Sequence, residues 1–282
     1  MAKPSTKGKT LDDLFKGDGT AAQILELRKQ LREIAEARVG LKIPLGSKAP
    51  PFRCGVMSCS HLGSIYEDIP VNNAIYDWFE REGIEKVFHA GDMTEGCLMR
   101  PGQEHEIHKH GADAQVDWAV EQFPYRKGIE TFLIGGNHDA AHMKNGGTDV
   151  CARIGEKRDD ITYLGMDCAT FEIERHGDDR NIKIDMLHPG GGSSYALSYK
   201  PQKIIEQIAE GTKPDLLFIG HFHKAFQLPA YRGVAAFLTG CTQRQSGFMK
   251  RMGLAAHVGA WIVEMRVLDG QVEVGAKWRG FY

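Results

Sequence analysis

From Phe52 onward the chain alternates short apolar runs with stretches of helical period. Cys54–Ser58, Lys86–Ala90, Thr131–Ile134, Ile182–Leu187, Leu216–Ile219, Ala235–Leu238 and Trp261–Val267 have the length and composition of strands. Val71–Glu82 places Ile75, Trp78 and Phe79 on one side of a helix, and Ala112–Gln122 predicts another. Strands alternating with helices predict an α/β domain with a parallel component. The later half, rich in strands and poor in helices, predicts a second sheet with antiparallel pairing. No solenoid repeat or low-complexity tract interrupts the pattern.

The first 50 residues read differently. Residues 1–19, rich in Lys, Gly, Asp and Thr, are expected to be a flexible lead-in. Thr20 to Gln23 has the form of a capping box. Ile24, Leu27, Leu31 and Ile34 then make one apolar stripe, which packs on the parent domain or forms a dimer seam. Gly46 to Pro51 is a breaker-rich joint. The expected division is a lead-in with an amphipathic helix over 1–50 and one main domain over 51–282.

Composition narrows the function classes. At 282 residues, 42% hydrophobic and 26% charged, the chain is long enough to bury a sizeable core. A formal net charge of −2 excludes a global basic field for nucleic acid, though not a local basic groove. No apolar run reaches membrane-spanning length, and Met1–Thr10 lacks the apolar stretch of a signal peptide. Cys54, Cys59, Cys97, Cys151, Cys168 and Cys241 show no CxxC, so reduced thiols in a cytoplasmic protein are expected.

Five polar motifs directly follow five of the predicted strands: Cys59-Ser60-His61, Gly91-Asp92-Met93-Thr94-Glu95, Gly136-Asn137-His138-Asp139, His188, and Gly220-His221-Phe222-His223. Ligands of open α/β sheets collect beyond the carboxyl ends of strands, so these residues are expected to converge on one rim. In content and order the set resembles the calcineurin-like metallophosphoesterases over about residues 52–245, with Cys59 where the first motif normally has aspartate. The stretch Tyr195–Gln202 is similar to a phage and archaeal branch of that family.

The resemblance implies two mixed sheets packed face to face with helices outside, and two divalent transition-metal ions (Fe, Zn or Mn). Cys59, His61, Asp92 and His223 would hold the first ion, and Asp92, Asn137, His188 and His221 the second. Asp92 would bridge. His138 would contact the phosphate and protonate the leaving group, with Asp139 orienting its ring. Glu95, at a position where aspartate is commoner, would play a supporting role. The implied activity is hydrolysis of a phosphodiester by in-line attack of a metal-bridging hydroxide. A nuclease, a phosphomonoesterase or protein phosphatase, and a catalytically silent binding module are the alternatives. Nucleic acid or a nucleotide stays open as the substrate, a membrane is not expected, and the oligomeric state is not indicated.

A thiolate at Cys59 would keep the charge of the replaced carboxylate while favouring softer Zn or Fe over Mg or Mn. The competing readings are a buried filler and a degenerate first site. For substrate contacts the sequence offers Gly190 and Gly191, whose backbone could approach a phosphate, then Tyr195, and His108 from the Glu104–His110 insert. Arg244, Lys250, Arg251, Lys277 and Arg279, with Phe248 and Trp278, are either a nucleic-acid-guiding cluster or a solvated face.

Overall fold

The computed structural model describes residues 51–174 and 180–281, and the backbone alone at 41–45 and 175. The expected helix after Thr20 and the breaker residues 46–50 lie outside the described residues. In chain order the described elements are β1 (Leu41–Leu45), β2 (Phe52–Met57), α1 (Ile69–Arg81), β3 (Lys86–Ala90), a 3₁₀ turn (Gln103–Glu106), α2 (Ala112–Gln122), β4 (Glu130–Gly135), α3 (Asn137–Gly146), α4 (Val150–Lys157), β5 (Ile161–Met166), β6 (Cys168–Arg175), β7 (Ile182–Leu187), α5 (Tyr199–Gln207), β8 (Leu216–Ile219), β9 (Ala225–Tyr231), β10 (Val234–Thr239), α6 (Gly247–Arg251), β11 (Gly259–Leu268) and β12 (Gln271–Gly280).

These strands form two six-stranded mixed sheets, ordered β1-β6-β7-β8-β10-β9 and β12-β11-β2-β3-β4-β5. The expected two-sheet α/β architecture is what the chain adopts. β2 to β5 pair in parallel and β11 joins β2 antiparallel. In the other sheet β7, β8 and β10 are parallel. Every expected strand and both expected helices are present. β1, β5, β6, β9 and β12 are additions, and β1 extends the sheet into the segment assigned to the lead-in. It pairs parallel with β6, far along the chain, and carries Pro44 on an edge. No local pattern signals such a strand.

Alternation along each strand divides the apolar residues between layers. Cys54, Val56, Phe88, Ala90, Phe132 and Ile134 face Phe171, Ile184, Met186, Leu216, Phe218 and Phe237 across the inter-sheet core. Phe88 spans that layer, its ring 4.7 Å from Phe171 and 5.5 Å from Phe132 between centroids. The opposite face of the second sheet is covered by Ile75, Tyr76, Trp78 and Phe79 of α1, with Val116 of α2 and Ile154 of α4. α5 covers the far face of the first sheet through Ile205.

The C-terminal end of α1 is fastened to the strands beside it by one carboxylate. Glu82 accepts from Arg53 at 3.0 Å, from Lys277 at 2.8 Å and from the Trp78 indole at 3.3 Å. Bonds from Lys277 and Arg53 depress its pKa to about 2. A depressed carboxylate stabilises above its unfolded value and loses that contribution as pH falls toward its folded value. Glu82→Gln should therefore lower unfolding free energy at neutral pH by about 0.5–1 kcal/mol, the scale of a partly solvated ion-pair network. The gap should close between about pH 5 and pH 2, as read by urea denaturation of both proteins.

Candidate metal centre

The rim forms where β2, β3, β4, β7 and β8 end. Each strand delivers its motif through a tight turn, and the backbone there is unusual. Cys59, His61, Asp92, His221 and His223 all have positive φ, between 47° and 76°, although none is glycine. Strain of this kind persists only where surrounding structure enforces it, and here it coincides with the polar cluster.

The side chains meet at Asp92. Its Oδ1 accepts the His138 backbone N–H at 2.9 Å. Its Oδ2 lies 3.0 Å from His188 Nε2 and 3.8 Å from His61 Nε2, between two groups of donor atoms. In one group, His61 gives its Nδ1 hydrogen to Glu95 Oε2 at 3.0 Å, which bares Nε2 toward His223 Nε2 at 3.1 Å. Cys59 Sγ completes a cluster with these two rings in which the ligand atoms lie within 4.8 Å of one another. In the other, His188 donates Nδ1–H to the Ala90 carbonyl at 2.7 Å, and its bare Nε2 is 3.1 Å from Asn137 Oδ1. His221 donates Nε2–H to the Gly191 carbonyl at 2.6 Å, leaving Nδ1 at 2.8 Å from the same Asn137 oxygen.

Both groups thus gather lone pairs with few hydrogens between them, and His223 Nδ1 is buried without a partner. That is a donor set suited to cations. Nitrogen, oxygen and one sulfur fit Zn, Fe or Mn in preference to an all-oxygen Mg site.

Electrostatics divide the donors: burial would lower His188, but Asp92 beside it outweighs that and raises it, as it helps to raise His61. Burial would raise the Asp92 carboxyl, but His188, His138 and His61 together hold it well below its usual value. Burial keeps His223 and His221 largely neutral, as ligands must be. His61 is pulled the other way: the Glu95 carboxylate and Asp92 outweigh burial and raise it. Burial, then Asp92, pushes the Cys59 thiol up, so only a cation would make it a thiolate. Its Sγ receives the His221 backbone N–H at 3.3 Å and lies 3.2 Å from Ser58 Oγ.

His138 stands beside this cluster, its ring 4.5 Å from that of His61. The residue that orients it differs from expectation. Asp139 accepts from Gly136 N, Met93 N, Thr94 N and Thr94 Oγ1 at 2.8–3.1 Å, so its oxygens are spent on the turns of the second and third motifs. The imidazole instead donates Nδ1–H to the Glu95 carbonyl at 2.6 Å. Glu95 therefore supports two histidines, one by its side chain and one by its backbone, and Gln103 holds it in turn at 3.0 Å.

A cavity of about 460 Å³ opens over the cluster. Gly191 lines it, whereas Gly190 belongs to a separate depression with Lys200, and Tyr195 is fully exposed outside both. His108 is turned to Glu67 at 2.8 Å and to the Trp118 ring. The insert does reach the cavity, but through Glu106, beside Met99 and Arg100 from the segment just before it. The C-terminal cations are already engaged: Lys277 pairs with Glu82, Lys277 and Arg279 both lie over the Trp78 ring, and Trp278 packs on Trp261.

A profile of the calcineurin-like phosphoesterase superfamily domain matches residues 52–248. The chain belongs to that superfamily. The superfamily domain here is similar to the DNA polymerase II small subunit of Halobacterium salinarum, 23% identical over 252 residues, 77% of this chain and 49% of that protein. The corresponding subunit of Methanocaldococcus jannaschii is 27% identical over 201 residues, 59% of this chain and 32% of that one. The chain thus spans about half the length, or less, of these relatives. Similar solved structures include the phosphoesterase Yfce from E. coli (12% identity, TM-score 0.40, 78% and 96% of the two chains). A Vps29 variant from Entamoeba histolytica is another (14% identity, TM-score 0.34, 81% and 99%).

Two measurements test the donor set. Metal analysis of protein purified with and without air should find less metal in Cys59→Ser, while Cys59→Asp keeps metal but shifts its preference toward Mn. Unchanged metal content and identity in Cys59→Ser would exclude sulfur ligation. Glu95→Gln, which removes the charge behind His61, should weaken metal affinity by about 10–100-fold in competition with a chelator.

Proposed function

We propose that the chain is a two-metal phosphoesterase that hydrolyses phosphodiesters. The observation that carries this reading is the single Asp92 oxygen lying between two sets of bare histidine nitrogens, with His138 beside them. Cys59, His61, Asp92 and His223 would hold one ion, and Asp92, Asn137, His188 and His221 the other. Two divalent ions bound there supply charge neutralisation for phosphoryl oxygens and an acidified water.

The chain's own residues do the rest. His138, anchored at Nδ1 by the Glu95 carbonyl, keeps Nε2 as the atom that delivers a proton to the departing oxygen. Glu95 and Ala90 fix the tautomers of His61 and His188 so that each presents Nε2. Asp139 holds the second and third motifs in register. The family resemblance, in which a histidine at position 138 often accompanies diester hydrolysis, supports a diester, and that histidine can protonate a leaving alkoxide. The archaeal polymerase subunits that the chain resembles favour nucleic acid or a nucleotide as that diester. A cytoplasmic setting belongs to the same reading and rests on the scattered, non-paired cysteine spacing.

Parallel assays on diester and monoester chromogenic substrates with Mn, Fe and Zn test the activity. Faster diester hydrolysis is expected, and no metal-dependent hydrolysis with any of the three would make the chain a binding module instead. His138→Gln should keep its metal but lose about 10²–10⁴ in kcat on alkyl diesters. The loss should be smaller on p-nitrophenyl esters, whose leaving group needs no proton. Equal losses on both would exclude His138 as the general acid.

A further inference from the structure

The cavity over the metal centre has two unlike banks. One is backbone from Gly191 to Ser193. The other is an apolar shelf of Met99, Phe248, Met249, Met252 and Leu254, built mainly on α6 and the turn after it. Met252 is 58% exposed and Met99 36%, so the shelf leaves large apolar groups in water at the mouth of the site. It is firmly mounted. Ser246 caps α6 by accepting Met249 N–H at 3.2 Å, and Gln245 Nε2 donates to the Leu254 carbonyl at 2.7 Å.

Phe248 is already used as a stacking surface. The Arg100 guanidinium lies 4.9 Å and the Arg251 guanidinium 5.9 Å from its ring centroid. Arg100 is ion-paired with Glu106, so it offers a flat, delocalised plane with its charge largely answered. Three methionine thioethers nearby add soft contacts that suit aromatic rings. Gln243 and Ser246 line the same cavity with amide and hydroxyl groups.

We propose that this shelf binds a nucleobase, so that the ester cleaved at the metal centre is a nucleotidyl phosphodiester. The proposal rests on the phosphodiesterase reading above. A planar heterocycle needs stacking area together with a few hydrogen-bonding groups, and the shelf supplies both. An acyl chain needs an uninterrupted apolar channel, which Arg100, Gln243 and Ser246 break. A volume of about 460 Å³ has room for one nucleotide beside the metal cluster.

The test compares two diesters with one leaving group, thymidine 5′-(p-nitrophenyl phosphate) and methyl p-nitrophenyl phosphate. The metal-loaded wild type should prefer the nucleoside ester in kcat/KM by about tenfold or more, the scale of base stacking on a side chain. The preference should fall toward unity in Phe248→Ala and Met252→Ala. Should Phe248→Ala fail to fold, Phe248→Leu, which keeps bulk but not the aromatic face, replaces it. Titration calorimetry with thymidine 5′-monophosphate and methyl phosphate reads the shelf without turnover, with tighter binding of the nucleotide expected. No preference in the wild type, or one unmoved in these variants, overturns the shelf alone. Failure to hydrolyse either ester with Mn, Fe or Zn overturns the phosphodiesterase reading instead. Competition by a thymidine dinucleotide or by a longer oligothymidylate supports the proposal and tells a free nucleotide from a strand. Better competition by an acyl-bearing glycerophosphodiester overturns it.

Discussion

How closely the two sheets meet at their strand ends governs everything at the rim. His188, one residue past β7, donates to the carbonyl of Ala90, the last residue of β3 in the other sheet, at 2.7 Å. Gly220 crosses the same carbonyl so tightly that a Cβ there would lie 2.1 Å from it. A Cβ on Gly136 would lie 2.3 Å from Asp92 Oδ1. Glycine at these two places lets three strand ends reach one point. The bond from His188 to Ala90 also selects the tautomer that turns Nε2 toward Asp92. One inter-sheet contact thus sets both the packing of the rim and the chemistry of its donors.

That convergence is costly until something positive occupies it. Carboxylate, amide oxygen, imidazole nitrogen and sulfur face one another, and five of the residues that carry or surround them hold left-handed backbone. Compensation lies in buried hydrogen bonding just beneath. Asp139 satisfies three backbone N–H groups and one hydroxyl. Ser60 Oγ joins His89 Nε2 at 2.9 Å and Thr242 Oγ1 at 3.1 Å, and Thr242 reaches Asn72 at 2.7 Å. Burial drives His89 down to about 3, so this support is neutral near pH 7 and adds no charge to the cluster. The strain is local and its restraint is spread over five segments of chain, around Ser60, Asn72, His89–Thr94, Gly136–Asp139 and Thr242.

Much of this was legible in the sequence because strand ends and motifs coincide. Apolar runs ended where His61, Asp92, Asn137, His188 and His221 began, so period and chemistry pointed to one rim. What stayed hidden depended on pairing or on backbone groups. β1 and β6 find each other across the length of the domain, and β9 is exposed enough to lose its alternation. The orienter of His138 is a carbonyl, which carries no residue-type signal, so the role went to Asp139, as the family resemblance implied. The shelf was hidden for a related reason. Phe248 was visible among cations, but only folding brings Met99 and Arg100, from the segment before the insert, against it.

Cys59 sits where these constraints intersect, and its surroundings differ from side to side. Ser58 Oγ and the His221 N–H approach the sulfur on one flank. Cys241 and Val258 pack against the residue on the other, and the side chain is wholly buried. A pure filler would have no reason to collect the polar contacts. A carboxylate would collect them and present a second oxygen besides, which the apolar flank offers no donor to satisfy. Thiolate is the ligand type that delivers one negative charge from a single atom and tolerates an apolar neighbour. As a ligand, cysteine in place of the commoner aspartate would be matched to its pocket: a bound cation would restore the negative charge toward Asp92, and the desolvation of a spare oxygen would be avoided.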